Sequence, residues 1–269
     1  MGTSKRPLGP IFLVVGALLL GACTTTRAID RNPEGVLYPI FDGTGPGTIV
    51  YVHGYMASVA SSSSVLEHLK QFGPRVYAFE LPGHGQAPGV QYDIHEFSDY
   101  GRALASGLGD IQDLSSGPLY LVAHSLGAVA VLGALSQGVG ADGILLVAPL
   151  FQIRNAGLTT LGVNIVAPFT RILPGGTPVS WFRAYQRWRR QGLPISDRLP
   201  RTIIVASEND TVVSNRTMRN AAATFGQIEY REIPNLGHWE IDSYDSTSPL
   251  WHEIDRAIQE LMTQGRKTE

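Results

Sequence analysis

The sequence predicts an α/β fold in which a mostly parallel, doubly wound sheet is flanked by helices. Apolar, β-branched runs of about five or six residues recur along the chain, which is typical of strands covered on both faces. These runs alternate with segments whose apolar residues have helical spacing, as parallel βαβ units require. The length, 269 residues, and the hydrophobic fraction, 43%, suit one globular domain of this class.

The N-terminal segment differs in composition from the rest of the chain. Lys5 and Arg6 precede an apolar run at residues 11–20, which is too short for an ordinary membrane-spanning helix and predicts a signal sequence. The run ends in the letters LGAC at residues 20–23, which resemble the lipobox of bacterial lipoproteins. The resemblance implies that Cys23 is lipidated and becomes the mature N-terminus.

We therefore expect a lipoprotein signal peptide at residues 1–22 and a polar, lipidated tether at 23–35. Acyl chains on the cysteine would anchor an otherwise soluble domain to a membrane surface of the bacterial cell envelope. Thr24 stands where an inner-membrane retention signal typically has aspartate, so the periplasmic side of the outer membrane is preferred. The alternative is a chance cysteine, and because the chain has no second one a disulfide framework is excluded.

Two strands are predicted at the start of the domain, at residues 36–41 and 48–53, with a turn rich in glycine and proline between them. The second strand ends in His53-Gly54. A glycine just past a central strand lets the backbone turn sharply and direct amide N–H groups into the cleft above the sheet.

A helix is predicted to follow, because Ser64 and Glu67 have the spacing of a capping box, with Ser64 at the N-cap. Its apolar residues fall on one helical face, which predicts packing against the sheet: Val65, Leu66, Leu69 and Phe72. The next strand, residues 75–79, opens into a loop with the letters ELPGHG. A second helical stripe follows and ends before a Gly-Pro pair: Phe97, Tyr100, Leu104 and Leu108.

Residues 119–128 join a buried-strand pattern to a helix through Ser125. In a nucleophile elbow the serine adopts a strained backbone conformation, so the residues two before and two after it must be small. Ala123 and Gly127 occupy those positions, which predicts an elbow in an Ala-x-Ser-x-Gly variant of a motif that usually has two glycines. The alternative is that Ser125 is an ordinary N-cap.

Another apolar strand is predicted at residues 143–149, after which glycines and prolines interrupt short apolar pieces between about 150 and 200. A connection of ~50 residues is far longer than the usual ~2–6. Within it, residues 181–190 combine four arginines and four aromatic residues with nearly helical spacing. We favour packing of the aromatic face on the body of the protein. The alternative is a basic, aromatic face against lipid headgroups or an acyl substrate.

The last strands are predicted at residues 202–206 and 228–233, the second with the alternation of a half-exposed strand. Polar residues follow each of them: Glu208 and Asp210 come after the first, and His238 comes after the second. Apolar residues with helical spacing then predict a closing helix: Trp251, Ile254, Ile258 and Leu261.

The order of Ser125, Asp210 and His238 along the chain resembles the α/β-hydrolase superfamily and differs from the orders of the chymotrypsin and subtilisin types. The resemblance covers residues 36–265 and is closest to the branch that contains monoacylglycerol lipases, lysophospholipases and serine aminopeptidases. It implies an α/β-hydrolase fold with residues of about 150–200 as a cap.

The resemblance also implies roles for individual residues. Ser125 would be the nucleophile, His238 the general base and Asp210 the acid that orients the base, with Glu208 as the fallback acid.

The oxyanion hole would consist of the backbone N–H groups of Tyr55 and Leu126. The loop that begins at Glu80 departs from the family pattern, which more often has aspartate there. His84 in this loop is interpreted as structural rather than as a base.

These roles predict a serine hydrolase that cleaves carboxylic esters through an acyl-enzyme, with a monoacyl lipid or lysophospholipid as the expected substrate. The chemistry needs no metal or organic cofactor, and a net charge of -2 gives no indication of nucleic-acid binding. One alternative is an aminopeptidase-type amide hydrolase of the same fold. Another is a catalytically silent lipoprotein whose cleft binds a ligand or an envelope partner. A dehalogenase is disfavoured because it would have aspartate in place of Ser125.

Overall fold

The computed structural model describes residues 34–265 apart from 113–116, 169, 174–175, 196 and 243. The predicted signal peptide, Cys23 and all but the last two residues of the predicted tether lie outside the described residues. No helix in these described ranges is both long and apolar enough to cross a membrane.

Strands and helices nearly alternate along the chain. The strands are β1 (Val36–Phe41), β2 (Thr48–Val52), β3 (Arg75–Glu80), β4 (Leu119–His124), β5 (Gly143–Val147), β6 (Thr202–Ser207) and β7 (Ile228–Ile233). The helices are α1 (Ser63–Leu69), α2 (Ser98–Gln112), α3 (Leu126–Leu135), α4 (Ala156–Val166), α5 (Val179–Gln191), α6 (Asn215–Thr224) and α7 (Pro249–Gly265). Short 3₁₀ turns are formed by Lys70–Phe72 and Glu240–Asp242.

The strands form one sheet in the order β1-β3-β2-β4-β5-β6-β7. β1 pairs antiparallel with β3, and the other pairings are parallel. Every residue of β2, β4, β5 and β6 is buried, as expected of strands with helices on both faces. The predicted fold class is therefore confirmed.

The core lies in two layers, one on each face of the sheet, because successive side chains of a strand point to opposite faces. Val50 and Val52 of β2 join the layer that contains the buried residues of α2, α3 and α5. Ile49 and Tyr51 of the same strand join the layer that contains those of α1 and α7. The candidate site lies at the carboxyl ends of the parallel strands.

The start of α1 differs from the prediction. The helix begins at Ser63 and Ser62 occupies the N-cap position, so Ser64 lies in the first turn and the predicted capping box is wrong. The Ser64 hydroxyl instead accepts the N–H of Tyr244, from the loop before α7. Residues 61–64 are four consecutive serines, so the sequence alone offers several candidates for the N-cap. The contact with Tyr244 engages the Ser64 hydroxyl elsewhere.

The close approach of α3 to β2 depends on a glycine. A Cβ added at Gly127 would lie 2.3 Å from the carbonyl oxygen of Val52 and 2.8 Å from that of His53. Neither backbone oxygen can withdraw without disturbing β2 and the turn after it. Glycine is therefore required at this position of the elbow, where the motif asks for a small residue.

Gly127→Ala should lower the free energy of unfolding by roughly 1–3 kcal/mol, because the added methyl group overpacks two backbone atoms. Gly162→Ala in α4 is the matched control, since nothing lies within 4 Å of the added Cβ. There the higher helix propensity of alanine should raise stability by about 0.5–1 kcal/mol. Urea unfolding followed by circular dichroism measures both changes. Equal effects of the two substitutions would contradict the close approach.

Candidate active site

The elbow places Ser125 at the carboxyl edge of the sheet, between the end of β4 and the start of α3. Its backbone angles, φ 48° and ψ −109°, lie outside the regions that residues other than glycine usually adopt. The Ser125 N–H donates to the carbonyl of Val147 at 3.0 Å, and the Ser125 carbonyl accepts the N–H of Leu150 at 2.9 Å. The strained turn is therefore held by β5 and the residues that follow it.

Two further residues of the predicted site meet this serine. His238 Nε2 lies 3.1 Å from Ser125 Oγ, and His238 Nδ1 lies 2.7 Å from Asp210 Oδ2. With a proton on Nδ1, the ring donates to the carboxylate and accepts from the serine hydroxyl, which is the arrangement needed to take a proton from Oγ. The exposed fractions are 5% for Ser125, 3% for His238 and 1% for Asp210, so the three groups are largely shielded from water.

The Asp210 carboxylate is also fixed through its second oxygen. Oδ1 accepts the N–H groups of Val212 and Val213, both at 2.8 Å, so the side chain cannot turn away from His238. The fallback acid, Glu208, is exposed to solvent. The structure thus brings Asp210, and not Glu208, to the imidazole.

The expected oxyanion donors lie at the same edge of the sheet. Gly54 follows β2 and packs against the serine, since a Cβ added to it would lie 3.3 Å from Ser125 Cβ and 2.9 Å from His124 Nδ1. The residue that precedes Tyr55 therefore lies against the serine. Leu126 is the first residue of α3, where backbone N–H groups have no partner within the helix. The role of both amides as oxyanion donors stays a prediction.

Two more imidazoles are buried close to this site. His84 donates from Nδ1 to the carbonyl of Pro82 at 3.0 Å and packs its ring on Tyr55, as the structural interpretation expects. Burial lowers the pKa of His84 to about 4. The His124 ring lies 5.2 Å from that of His238, and burial lowers the pKa of His124 well below its ordinary value, so it stays neutral beside His238. In the described ranges, no cluster of side chains is placed to hold a metal ion.

Two residues that stand apart in the sequence form a further buried pair. His53 and Glu80 come directly after Val52 and Phe79, the last paired residues of β2 and β3. His53 Nε2 lies 2.8 Å from Glu80 Oε1. The side chains are 0% and 2% exposed. The signal in the sequence was that His53 ends one predicted strand and Glu80 directly follows the next. Without the strand order, nothing in the sequence placed them side by side.

The segment of residues 150–200, which we call the cap segment, contains α4 and α5. Trp181 and Trp188 of α5 are buried. The Trp181 ring lies 4.4 Å from that of Tyr55, and its Nε1 donates to the Tyr100 hydroxyl at 3.1 Å. The packing interpretation of residues 181–190 is confirmed. The aromatic part of the alternative is wrong, because the body of the protein covers these rings. The four arginines of the stretch are exposed, so a contact of this basic face with headgroups stays a prediction.

In contrast, α4 presents apolar side chains to solvent. Leu158, Leu161 and Ile165 share one helical face and are 72%, 59% and 62% exposed. We call these three residues the exposed α4 face. The surrounding sequence is basic, because residues 150–195 contain six arginines and no acidic residue.

Comparison with known families places this chain among hydrolases. The family model described as serine aminopeptidase, S33, matches residues 45–191. A protein of Rattus norvegicus named monoglyceride lipase is 27% identical over 134 residues, which are 49% of this chain and 44% of the rat protein. Less than half of that relative's length is therefore matched. Ser125 falls within the family match, whereas Asp210 and His238 lie beyond it.

Solved structures share the fold over most of this chain. A soluble variant of the monoglyceride lipase of Saccharomyces cerevisiae has a TM-score of 0.64 at 16% identity, with 90% of this chain and 97% of that chain covered. The monoacylglycerol lipase of Paleococcus ferrophilus has a TM-score of 0.63 at 17% identity, with 87% and 99% covered. At such identities the likeness shows the fold alone, which is the α/β-hydrolase fold.

Replacing His84 should flatten the acid side of the stability profile. Its pKa of about 4 in the folded protein compares with an ordinary 6.5. Below pH 6.5 the unfolded chain therefore takes up a proton that the folded chain does not, and stability falls until about pH 4. The loss reaches about 3 kcal/mol.

His84→Gln should remove this contribution, whereas His252→Gln, at an exposed histidine of α7, should leave the profile unchanged. Urea unfolding between about pH 7 and 5 measures the slope for each variant. If the slope for His84→Gln equals that of the wild type, the loss of stability at acid pH does not come from His84.

Proposed function

Because the chain belongs to the serine aminopeptidase S33 family of hydrolases, we propose that it is a serine hydrolase that cleaves carboxylic esters through an acyl-enzyme. The observation that carries the proposal is the hydrogen-bonded line from Ser125 Oγ through the His238 ring to Asp210, with distances of 3.1 and 2.7 Å. A strained, buried serine at the end of a central strand supports the same reading.

In the proposed reaction, His238 accepts the proton of Ser125 as Oγ attacks the carbonyl carbon of the ester. Asp210 keeps the ring in the tautomer with a proton on Nδ1 and balances the charge of the imidazolium. The N–H groups of Tyr55 and Leu126 stabilise the oxyanion. The imidazolium then protonates the leaving alcohol. A water molecule attacks the acyl-enzyme by the same proton transfers, which releases the acid and restores the serine.

For the substrate we propose a monoacyl lipid or a lysophospholipid. The names of the rat and yeast relatives support an ester of this class. The exposed α4 face supports a substrate taken from an apolar surface, because three large aliphatic side chains in a row are costly to leave in water. The arginines of the cap segment add attraction to anionic headgroups.

We further propose that lipidated Cys23 holds the protein at the bacterial cell envelope, on the periplasmic side of the outer membrane. The lipobox-like sequence and Thr24 support this location. An enzyme anchored in this way would meet its substrate in the bilayer that holds the anchor, and the exposed α4 face would contact that bilayer.

Amide cleavage of the aminopeptidase type is the second candidate, since the matching family carries that description. The same triad can serve both reactions, so the leaving group separates them rather than the site. A silent binding protein is disfavoured by the site itself. A buried imidazole set between a hydroxyl and a carboxylate prepares proton transfer and has no evident part in binding.

Chromogenic acyl esters of several chain lengths should be hydrolysed, and aminoacyl amides should be turned over much more slowly.

Ser125→Ala should abolish both turnover and labelling by a fluorophosphonate probe. Asp210→Asn should lower kcat by about 10⁴-fold because the ring loses its tautomer. Glu208→Gln, which neutralises the exposed acid two residues away, is the control and should keep activity within about twofold. Faster amide turnover would favour the second candidate, and an unlabelled wild type would favour the silent binder.

Leu161→Glu should lower kcat/KM on a long-chain monoacylglycerol in anionic vesicles by about tenfold. The carboxylate removes apolar contact with the bilayer and is repelled by the headgroups. Hydrolysis of a soluble short-chain ester should not change. Gln259→Glu adds the same charge at an exposed position of α7, on the other face of the sheet, and is the matched control. Equal losses on both substrates would exclude a role of the exposed α4 face at the lipid surface.

A further inference from the structure

We propose that His53 and Glu80 are positioning residues that polarise the Gly54–Tyr55 peptide group and so strengthen the Tyr55 N–H as an oxyanion donor. The inference deepens the proposed function and rests on it. It adds a second acid–imidazole pair to the site, on the opposite side of Ser125 from the pair formed by Asp210 and His238.

The His53 ring has an oxygen acceptor at each nitrogen. Nδ1 lies 2.8 Å from the carbonyl oxygen of Gly54, and Nε2 lies 2.8 Å from Glu80 Oε1. A carbonyl oxygen can only accept, so Nδ1 carries a proton. Nε2 faces the Glu80 carboxylate, so the ring is held at both nitrogens and its Nδ1–H is directed at the Gly54 carbonyl.

Several donors converge on Glu80 to keep it charged. Burial alone would raise the pKa of Glu80, but the hydrogen bond from His53 and the N–H groups of Val59 and Gln86 hold this pKa below its ordinary value. The Val59 N–H donates to Oε1 at 2.9 Å and the Gln86 N–H to Oε2 at 3.4 Å. The Leu81 N–H donates to His53 Nε2 at 3.1 Å, which fixes the same side of the ring.

The peptide bond transmits the effect of the hydrogen bond from His53 Nδ1. The Gly54 carbonyl and the Tyr55 N–H belong to one peptide group, so a donor at the oxygen draws electron density from the nitrogen. The N–H becomes a stronger donor, as in any chain of hydrogen bonds that polarise one another in a low-dielectric interior. A fixed hydrogen bond at the oxygen also prevents rotation of the peptide plane. Both consequences favour a preorganised oxyanion hole.

Glu80 also holds the loop that carries this peptide. Its carboxylate binds His53 at the beginning of the loop and Val59 at the end. Between them Met56 has a φ of 61°, a left-handed conformation that tertiary contacts must impose. Gly85 leaves room for the carboxylate, because a Cβ there would lie 2.0 Å from Glu80 Oε2. These contacts fix the position of Tyr55 as well as its polarity.

The test compares kcat, KM and the affinity of a transition-state analogue in Glu80→Gln and in His53→Asn, both in the full chain. The analogue is an alkyl trifluoromethyl ketone. Ser125 Oγ bonds to its carbonyl carbon, the serine proton passes to His238, and the carbonyl oxygen becomes an oxyanion. With p-nitrophenyl butyrate as substrate, kcat should fall about tenfold and the analogue should bind about tenfold more weakly, with KM within about twofold. The loss is smaller than the ~10²–10³-fold cost of removing a donor outright.

Active-site titration with a fluorophosphonate normalises each rate to the concentration of competent serine, so partial misfolding does not enter the comparison. Asp99→Asn is the matched control. Asp99 is another buried carboxylate, which accepts the N–H of Glu96 at 3.0 Å and pairs with Arg102 away from the elbow. This substitution should lower the unfolding temperature and leave kcat and analogue affinity unchanged.

Three outcomes decide the matter. Parallel losses in kcat and analogue affinity, in both variants but not in Asp99→Asn, support the positioning role. Unchanged kcat and analogue affinity in Glu80→Gln, with lowered thermal stability only, would overturn it and leave a purely structural pair. A wild type that neither hydrolyses the ester nor reacts with the fluorophosphonate would overturn the proposed function instead, and so separates the two failures.

Discussion

The backbone of Ser125, with φ 48° and ψ −109°, is held in a conformation that costs of order 1–3 kcal/mol and that local sequence alone would relax. Parallel pairing resists this relaxation, since β5 accepts the Ser125 N–H and the chain after β5 donates to its carbonyl. The absent side chain of Gly127 lets α3 approach β2 closely enough to complete the turn. The hydroxyl is thereby held at the edge of the sheet where the other strands deliver their polar residues.

Two acid–imidazole pairs flank this serine, and their hydrogen-bond partners suit them to different tasks. His238 has a carboxylate at Nδ1 and a hydroxyl at Nε2, so it can gain a proton and return it within one cycle. His53 directs its Nδ1–H at a backbone carbonyl, so that proton is engaged in holding a peptide group. In the proposed reaction one buried ring is therefore a mobile base and the other a fixed donor.

Local patterns predicted most of the strands because each central strand is an unbroken apolar run. The family resemblance nominated Asp210 over Glu208. The patterns failed where a tertiary contact decides. Ser64 was assigned as a cap but accepts a hydrogen bond from Tyr244. The basic aromatic stretch could be read in two ways until the body that buries it was seen. The contact between His53 and Glu80 could not be predicted, because it depends on the order of the strands in the sheet. The local periodicity of the sequence does not determine that order.

Tyr55 connects the elbow with the cap segment, because it follows Gly54, which packs against Ser125, while its ring lies against Trp181 of the cap segment. The ring also meets His84, in the loop that follows Glu80. A displacement of α5 therefore acts on the residue whose N–H is the proposed oxyanion donor. If substrate binding shifts this helix, the consequence reaches the transition state as well as the affinity for the ground state. Variation in a cap segment of this kind can then change kcat as directly as it changes KM, without any substitution among Ser125, His238 and Asp210.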